Sequence, residues 1–389
     1  MQEFEEIRPY ADSEVRPVLE KILLDGHFLN TLARYNYPTL TKHFGQLMQR
    51  LTSVVMGYKL RGINDVKGFQ RAIEPFLSKL ITKTTSKVTF SGLENLKTGT
   101  SYLFLSNHRD IVLDPAFINY ELYFNGFDTP RLAIGDNLLG LPFVSDLMRL
   151  NKSFIVKRSV QGRREKLHAY HTLSAYIHHS IDTGHSVWIA QSEGRAKDGN
   201  DKTDTAIIKM MHMSKKSKTT TFSDSIRSLN IVPIAISFEY DPCDADKAAE
   251  LYHKATHGHY EKQKDEDMRS IAKGIEGYKG HVHVAFGTPL TRGFDHASEV
   301  ADAIDRQILT NYRLHPSNFL AWDIIKTEHP HIKVPALHTL FPDAELKRHQ
   351  EKFQQRYHRI NDAHKPWFIA MYANPVINHY NGQWQVNCC

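Results

Sequence analysis

One histidine of this chain stands where a general base would be useful. His108 follows an apolar run at 102–105 and precedes a helix that we expect to begin near Pro115, a residue favoured at the first helical position. Asp110 and Asp114 lie close behind it. A carboxylate that accepts a hydrogen bond from one imidazole nitrogen would leave the other nitrogen free to take a proton. Either aspartate could instead cap the following helix, so spacing alone leaves both roles open.

The surrounding pattern predicts the fold that positions this turn. Strand-like apolar runs interleaved with helical spacing favour an α/β fold, with a mostly parallel sheet flanked by helices. Strands are expected at 87–92, 102–105, 131–134, 153–156, 187–190, 231–237 and 281–286, and helices at 115–124, 163–183 and 298–313. Sheets of this kind bind ligands beyond the carboxyl ends of their strands, which is where His108 would lie.

Other regions flank this α/β region. From Ser13 to about Lys83 apolar residues recur at helical spacing, which predicts an amino-terminal bundle of three or four helices. We therefore expect a helical bundle at 1–83, an α/β domain at 84–314 and a carboxyl-terminal extension at 315–389 with one helical run near 344–360.

Composition narrows the class of protein. The 389 residues are 41% hydrophobic and 24% charged, which is typical of a globular protein. Cys243, Cys388 and Cys389 have neither disulfide nor metal-ligand spacing, which indicates a reducing compartment, and the two terminal cysteines are interpreted as an incidental tail. The start lacks a secretory signal pattern, and no apolar run approaches the roughly 20 residues of a spanning helix. The net charge of +6 suits an anionic partner: nucleic acid, a membrane surface or a phosphorylated metabolite.

Four separated segments resemble, in order, the blocks of the glycerol-3-phosphate and 1-acylglycerol-3-phosphate acyltransferase family. Ser106–Ala116 resembles its His-x4-Asp block, and Phe154–Arg158 is similar to its strand ending in basic residues. Ser192–Lys197 resembles its Pro-Glu-Gly-Thr-Arg block, and Ile231–Ile234 its Val-Pro strand. With weaker echoes on either side, the resemblance covers residues 87–290.

The sequence departs from that pattern in two places. Five residues separate His108 from Asp114, where the family has four, so either the turn absorbs one residue or Asp110 is the partner. The Asp-Pro-Ala sequence that follows favours Asp114. In the third block Ser192 replaces the family's proline, and Arg195 follows the glycine directly.

The resemblance implies a phosphate-binding role for four basic residues, which are Lys157, Arg158, Arg195 and Lys197. Arginine presents a fork of donors matched to phosphate oxygens, and lysine adds a mobile charge. A solvated basic face is the alternative interpretation. Glu193 is expected to hold Arg195 or its turn in place, and Gly194 to supply backbone freedom beside the ligand.

No cofactor and no metal site are predicted. His253 and His257 have the i, i+4 spacing of helical metal ligands, and His259 lies nearby. The run lacks the glutamate that the zinc-protease motif places beside its first histidine. We therefore interpret these histidines as a surface cluster.

The resemblance implies an O-acyltransferase in phospholipid biosynthesis. His108 would remove the proton of an acceptor hydroxyl as it attacks an acyl thioester. The implied partners are acyl-CoA or acyl carrier protein as donor, a phosphorylated glycerol as acceptor (glycerol-3-phosphate or lysophosphatidate), and a peripheral membrane surface, with no nucleic acid. A cytoplasmic location is expected, with contact at the inner face of the membrane left open. The alternative is a non-enzymatic basic protein on the same fold that binds a lipid surface or nucleic acid.

Overall fold

The computed structural model describes residues 2–217, 219–263 and 266–381. The described residues within 1–79 and 131–169 form one compact unit, and those within 80–130 and 170–389 form the other. Cys388 and Cys389, interpreted above as a tail, lie outside the described residues. The domain boundaries expected near residues 84 and 314 stay predictions.

The predicted helices and strands are present, together with helices that the sequence pattern did not predict. In chain order the α-helices are α1 (Asp12–Leu24), α2 (Gly26–Asn36), α3 (Pro38–Lys59), α4 (Val66–Thr84), α5 (Leu113–Phe124), α6 (Pro142–Leu150), α7 (Arg163–Asp182), α8 (Thr205–His212), α9 (Phe222–Arg227), α10 (Asp244–His257), α11 (Glu266–Glu276), α12 (Ala297–Asn311), α13 (Pro316–Ile325), α14 (Leu337–Leu340), α15 (Asp343–His358) and α16 (Lys365–Tyr380). The strands are β1 (Thr85–Ser91), β2 (Leu103–Ser106), β3 (Arg131–Gly135), β4 (Ser153–Val156), β5 (Val187–Ala190), β6 (Ile231–Phe238) and β7 (Gly280–Phe286). Each predicted strand is confirmed to within two residues at either end.

The first unit is built on amino-terminal helices. Helix α1 buries Val15, Leu19 and Ile22, whose spacing places them on one face. This face packs in a core with Leu60, Val66, Phe69 and Leu150. Helix α2 begins where the Asp25 side chain accepts the first free backbone N–H groups, from His27 and Phe28. Strands β3 and β4 of this unit pair in parallel.

The second unit contains a sheet of five strands in the order β1-β7-β6-β2-β5. Strand β7 is antiparallel to β6, while β1 pairs with β7, and β2 with both β5 and β6, in parallel. All residues of β2, β5 and β6 are buried, which explains why their sequences are apolar apart from Ser106 and Ser237. The predicted fold class, a mostly parallel sheet flanked by helices with a helical amino-terminal region, is confirmed.

The direction of the central strands decides where polar loops meet. In the register, Leu103 lies opposite Val187 of β5 and Ile231 of β6. Because β2, β5 and β6 run the same way, the loops that follow them leave from one edge of the sheet. That edge carries the turn with His108.

The carboxyl-terminal helices pack on the second unit. A core of Ala248, Ala321, Phe353, Phe368 and Tyr372 joins α10, α13, α15 and α16. Helix α16 also lies against the loop after β5, where a β-carbon on Gly199 would be 2.4 Å from the carbonyl oxygen of Met371. Asn374 Nδ2 donates to the carbonyl of Asp198 in that loop, at 2.6 Å. In the described part of the chain, no helix has the length and apolar character needed to cross a membrane.

Candidate active site

His108 forms a hydrogen-bonded pair with Asp114. His108 Nδ1 lies 2.8 Å from Asp114 Oδ2, and the Asp114 side chain is fully buried while 13% of the His108 side chain is exposed. Because a carboxylate only accepts, Nδ1 carries the proton and Nε2 presents a lone pair. Nε2 is not hydrogen-bonded to any described residue. The arrangement is that of an oriented general base.

Both aspartates hold the turn after β2, which contains one residue more than the family pattern. Asp114 Oδ2 also accepts the backbone N–H groups of Arg109 at 2.6 Å and Asp110 at 3.0 Å. Asp110 Oδ1 accepts from the backbone N–H groups of Val112 at 3.0 Å and Leu113 at 2.8 Å, and so caps the start of α5. Of the two aspartates, Asp114 contacts the imidazole and Asp110 shapes the turn.

Helix α11 closes over the Asp110 carboxyl. A β-carbon on Gly274 would lie 2.0 Å from Asp110 Oδ2, so only glycine allows this approach. Burial, followed by the negative charge of Asp114, raises the pKa of the Asp110 carboxyl. The capping carboxyl is therefore enclosed on the side away from the turn.

A buried ion pair fixes the turn from the loop after β5. Asp201 Oδ2 accepts from Asn107 Nδ2 at 3.0 Å and from the Arg109 guanidinium. Asn107 also exchanges two hydrogen bonds with the backbone of Ile236 in β6, at 2.9 and 2.7 Å. Burial disfavours the charge of the Arg109 guanidinium, but the Asp201 carboxylate raises the pKa of that group. The residues on both sides of His108 are thus anchored.

A second buried ion pair reaches the same turn from the segment after β6. Lys247 Nζ donates to the carbonyl of Arg109 at 2.9 Å and to the Asp241 carboxylate. Burial disfavours the charge of Asp241, but the Lys247 ammonium lowers the pKa of that carboxyl. Both backbone groups of Arg109 therefore have a hydrogen-bond partner. Its N–H donates to Asp114, and its carbonyl accepts from Lys247.

An aromatic side chain from β5 packs against the imidazole. The rings of His108 and Trp188 meet edge to face, with centroids 5.8 Å apart. Trp188 Nε1 donates to Ser106 Oγ at 3.0 Å, and Ser106 is fully buried. The contact restricts rotation of the imidazole.

The loop after β5 brings Arg195 close to the histidine. The backbone N–H of Ala196 donates to the carbonyl of His108 at 2.7 Å, and Arg195 Nη1 donates to Ser270 Oγ of α11 at 2.6 Å. Gly194 has φ of +80°, a conformation that favours glycine, and Glu193 is exposed beside it. The roles predicted for these residues in supporting and binding a phosphate stay predictions.

The remaining basic candidates have partners of their own. Lys197 Nζ lies 2.9 Å from Glu250 Oε1, which also accepts from Lys254 at 2.7 Å. Burial lowers the pKa of Lys197, and the Glu250 carboxylate opposes that change. Lys157 and Arg158 belong to the first unit, after β4. Lys157 pairs there with Glu6, and the backbone N–H of Arg158 donates to Asp136 at 3.1 Å.

Comparison with known proteins identifies the segment that carries this site. Residues 87–237 match the sequence model of a family described as "Acyltransferase". These residues form an acyltransferase-family domain. The domain includes His108, Asp114 and the loop after β5.

Named relatives agree with that assignment. A glycerol-3-phosphate acyltransferase from Shewanella sp. (strain W3-18-1) is 25% identical over 227 residues, which are 57% of this chain and 26% of the relative. One from Shewanella woodyi is 24% identical over the same share of each chain. This chain therefore spans about a quarter of the length of these relatives. A solved 1-acyl-sn-glycerophosphate acyltransferase from Thermotoga maritima aligns with 72% of this chain and 92% of its own, at 14% identity and a TM-score of 0.36.

The histidine cluster lies at the end of α10 in the second unit. His253, His257 and His259 are all exposed, which confirms the predicted surface position. The rings of His253 and His257 stack with centroids 5.5 Å apart, and His257 Nδ1 faces the carbonyl of His253. Among the described residues, no three His, Cys, Asp or Glu side chains are grouped to hold a metal ion.

Sequence reasoning missed the buried ion pairs that hold the turn of the acyltransferase domain. Asp201 lies in a polar, glycine-containing loop, and Asp241 and Lys247 flank the start of a helix, so all three resemble solvated surface charges. Arg109 lies within the block Ser106–Ala116 but was given no role of its own. One signal pointed to them, since Asn107 and Arg109 are polar residues that closely follow the apolar run at 102–105.

Proposed function

We propose that this protein transfers a fatty acyl group from a thioester donor to a hydroxyl of a glycerol phosphate, in phospholipid biosynthesis. The observation that carries the proposal is the His108–Asp114 pair, with its buried carboxylate and the lone pair that Nε2 presents. The family match at 87–237 and the similarity to glycerol-3-phosphate acyltransferases support this reaction class.

In this reaction His108 Nε2 takes the proton of the acceptor hydroxyl as its oxygen attacks the thioester carbonyl. Asp114 stabilises the imidazolium that forms. The tetrahedral intermediate then collapses with cleavage of the C–S bond, and the thiolate takes the proton back from His108. An ester and a free thiol result, and His108 returns to its starting state. A positioned base of this kind typically contributes about 10² to 10⁴ in rate.

The acceptor is glycerol-3-phosphate or 1-acylglycerol-3-phosphate. Arg195 is the basic residue whose neighbouring backbone binds the His108 carbonyl, which supports a role for it at the acceptor phosphate. Lys157, Arg158 and Lys197 are proposed to add positive charge. The proposed donors are acyl-CoA and acyl carrier protein, and the proposed location is cytoplasmic, with peripheral contact to a membrane.

The test is transfer by purified protein, with each donor against each acceptor. The wild type should acylate at least one acceptor, and His108→Ala should lower kcat by about 10² or more while remaining folded. His259→Ala is the matched control, since that histidine is exposed on the same unit. It should retain wild-type activity.

Two outcomes would contradict the proposal. One is transfer by His108→Ala at the wild-type rate, which would exclude a general-base role. The other is a wild type that transfers to neither acceptor but binds lipid or nucleic acid, which would favour the non-enzymatic alternative.

A further inference from the structure

Helix α3 of the first unit exposes many large apolar side chains and buries mostly polar ones. Its exposed side chains include large apolar residues, each between 49% and 79% exposed: Leu40, Phe44, Leu47, Leu51, Val54, Val55 and Tyr58. Its buried residues are Thr41, Met48 and Thr52. A surface helix ordinarily buries its apolar stripe and exposes its polar one. Here seven large apolar side chains stay exposed, while Met48 is buried and Met56 packs against the core of the unit.

The exposed residues form one stripe along the helix. A kink at Phe44, where φ is −130° and ψ is 43°, separates the first turns from the segment 45–59. On that segment Leu47, Leu51, Val54 and Tyr58 follow one another at intervals of four, three and four residues, which places them on one face. We call the seven exposed large apolar residues of α3 the apolar stripe.

Aromatic residues extend the apolar surface beyond α3. Tyr35 at the end of α2 and Tyr37 before α3 are 47% and 52% exposed. Phe76 of α4 is 53% exposed, and its ring centroid lies 6.1 Å from that of Tyr35. Extended apolar surfaces of this kind usually mark an interaction site.

The charge of the same segment selects the partner. Residues 26–64 contain five Lys and Arg residues and no Asp or Glu, whereas the average composition of the chain would place about four acidic residues there. The five cations are Arg34, Lys42, Arg50, Lys59 and Arg61, and all are exposed. Arg50 lies three residues after Leu47, and Lys59 four residues after Val55, so both flank the apolar stripe.

We propose that the apolar stripe and its flanking cations bind the surface of an anionic phospholipid bilayer. The apolar side chains would enter the boundary between headgroups and acyl chains, while arginine and lysine reach the phosphates. Tyrosine is favoured at this depth because its ring is amphipathic. A second copy of the same face would bring like charges together, which disfavours self-association as its use. The inference rests on the proposed function only in naming lipid as the partner.

The test is co-sedimentation of the full chain with vesicles of phosphatidylcholine alone and of phosphatidylcholine mixed with phosphatidylglycerol. The wild type should bind the mixed vesicles at least about tenfold more tightly. The triple variant Leu47→Gln, Leu51→Gln and Val54→Gln should lose about tenfold or more in binding to the mixed vesicles. These side chains are exposed, so the variant should keep the wild-type unfolding transition.

Matched controls separate the stripe from general surface character. The triple variant Leu167→Gln, Met268→Gln and Ile324→Gln removes exposed apolar residues of other helices and should bind as the wild type does. Arg50→Gln with Lys59→Gln should lower binding to mixed vesicles by about tenfold or more. Lys347→Gln with Arg348→Gln removes two exposed cations of α15 and should not.

Several results would overturn the inference. These are no binding to mixed vesicles, equal binding to both kinds of vesicle, and equal loss in the stripe and control variants. Dimerisation of the wild type that the stripe variant abolishes, without vesicle binding, would assign the face to a second copy. Transfer from a short-chain acyl-CoA to glycerol-3-phosphate or to a short-chain 1-acylglycerol-3-phosphate needs no bilayer. Its absence would count against the proposed function and leave the vesicle result standing.

Discussion

Replacing Asp114 by asparagine tests the proposed base most directly. The substitution keeps the shape of the side chain and removes its charge. Asp114 Oδ2 accepts from two backbone N–H groups as well as from His108, whereas Oδ1 has no described hydrogen-bond partner. The introduced amide should therefore keep its oxygen at the Oδ2 position, because its NH₂ group there would face two donors. The His108 tautomer should be preserved.

The expected loss follows from that geometry. Because the tautomer is kept, only the attraction between imidazolium and carboxylate is lost. Replacing a charged acceptor by a neutral one costs about 1.5–3 kcal/mol, which corresponds to a fall of about 10-fold to 150-fold in kcat. A fall of about 10⁴, as expected when the tautomer is inverted, should not occur.

Asp110→Asn is the matched comparison. Asparagine caps helices as well as aspartate does, and the His108–Asp114 pair is untouched. Its kcat should stay within about threefold of the wild type, measured at saturating donor and acceptor. Urea unfolding at the same pH checks that both variants are folded. A larger loss in Asp110→Asn than in Asp114→Asn, or a loss under about tenfold in Asp114→Asn, would refute the assignment of the partner.

Three further predictions concern the surroundings of the pair. Arg195→Ala should raise the KM for the phosphorylated acceptor with little change in kcat, and a defect confined to kcat would contradict a ground-state phosphate contact. Gly274→Ala should lower the free energy of unfolding by about 1–3 kcal/mol, because the new β-carbon would lie 2.0 Å from Asp110 Oδ2. This loss should exceed the gain from the better helix propensity of alanine. A urea titration that finds the variant as stable as the wild type, or more stable, would disprove this. Burial raises the pKa of Asp305, which accepts from Thr203, from 3.8 to about 6, so the folded state binds its proton more tightly than the unfolded state does. The free energy of unfolding of Asp305→Asn, relative to that of the wild type, should therefore rise by up to about 3 kcal/mol between about pH 4 and about pH 6. A difference that stays constant with pH in urea titrations would contradict the raised pKa.

The strands were predictable because their physical cause is local. A strand buried on both faces is apolar along nearly its whole length, so β2, β5 and β6 stand out as short, mostly apolar runs bounded by polar residues. The antiparallel pairing of β7 with β6 was not predictable, since the sequence of a buried strand does not record its direction. The same limit applies to α3, where helical spacing predicted the helix but not which face the unit buries.

At the candidate site, the identity of the base was predictable and its support was not. His108 stands in a strand-to-helix turn, which the sequence shows directly. The choice between Asp114 and Asp110 depends on how the turn folds. The turn brings Asp114 Oδ2 to 2.8 Å from His108 Nδ1. Asp201 and Lys247 lie 92 and 138 residues along the chain from Arg109, and only the topology of the sheet brings them to it.

The contact of α16 with the loop after β5 has a practical consequence for shortening this protein. That loop runs from Asp198, whose carbonyl binds Asn374, to Asp201, which anchors Arg109. A truncation that removes α16, or a carboxyl-terminal fusion that displaces it, would release the loop at one end and the turn with His108 at the other. Protease cuts near residue 360 should therefore abolish transfer even where the α/β sheet survives.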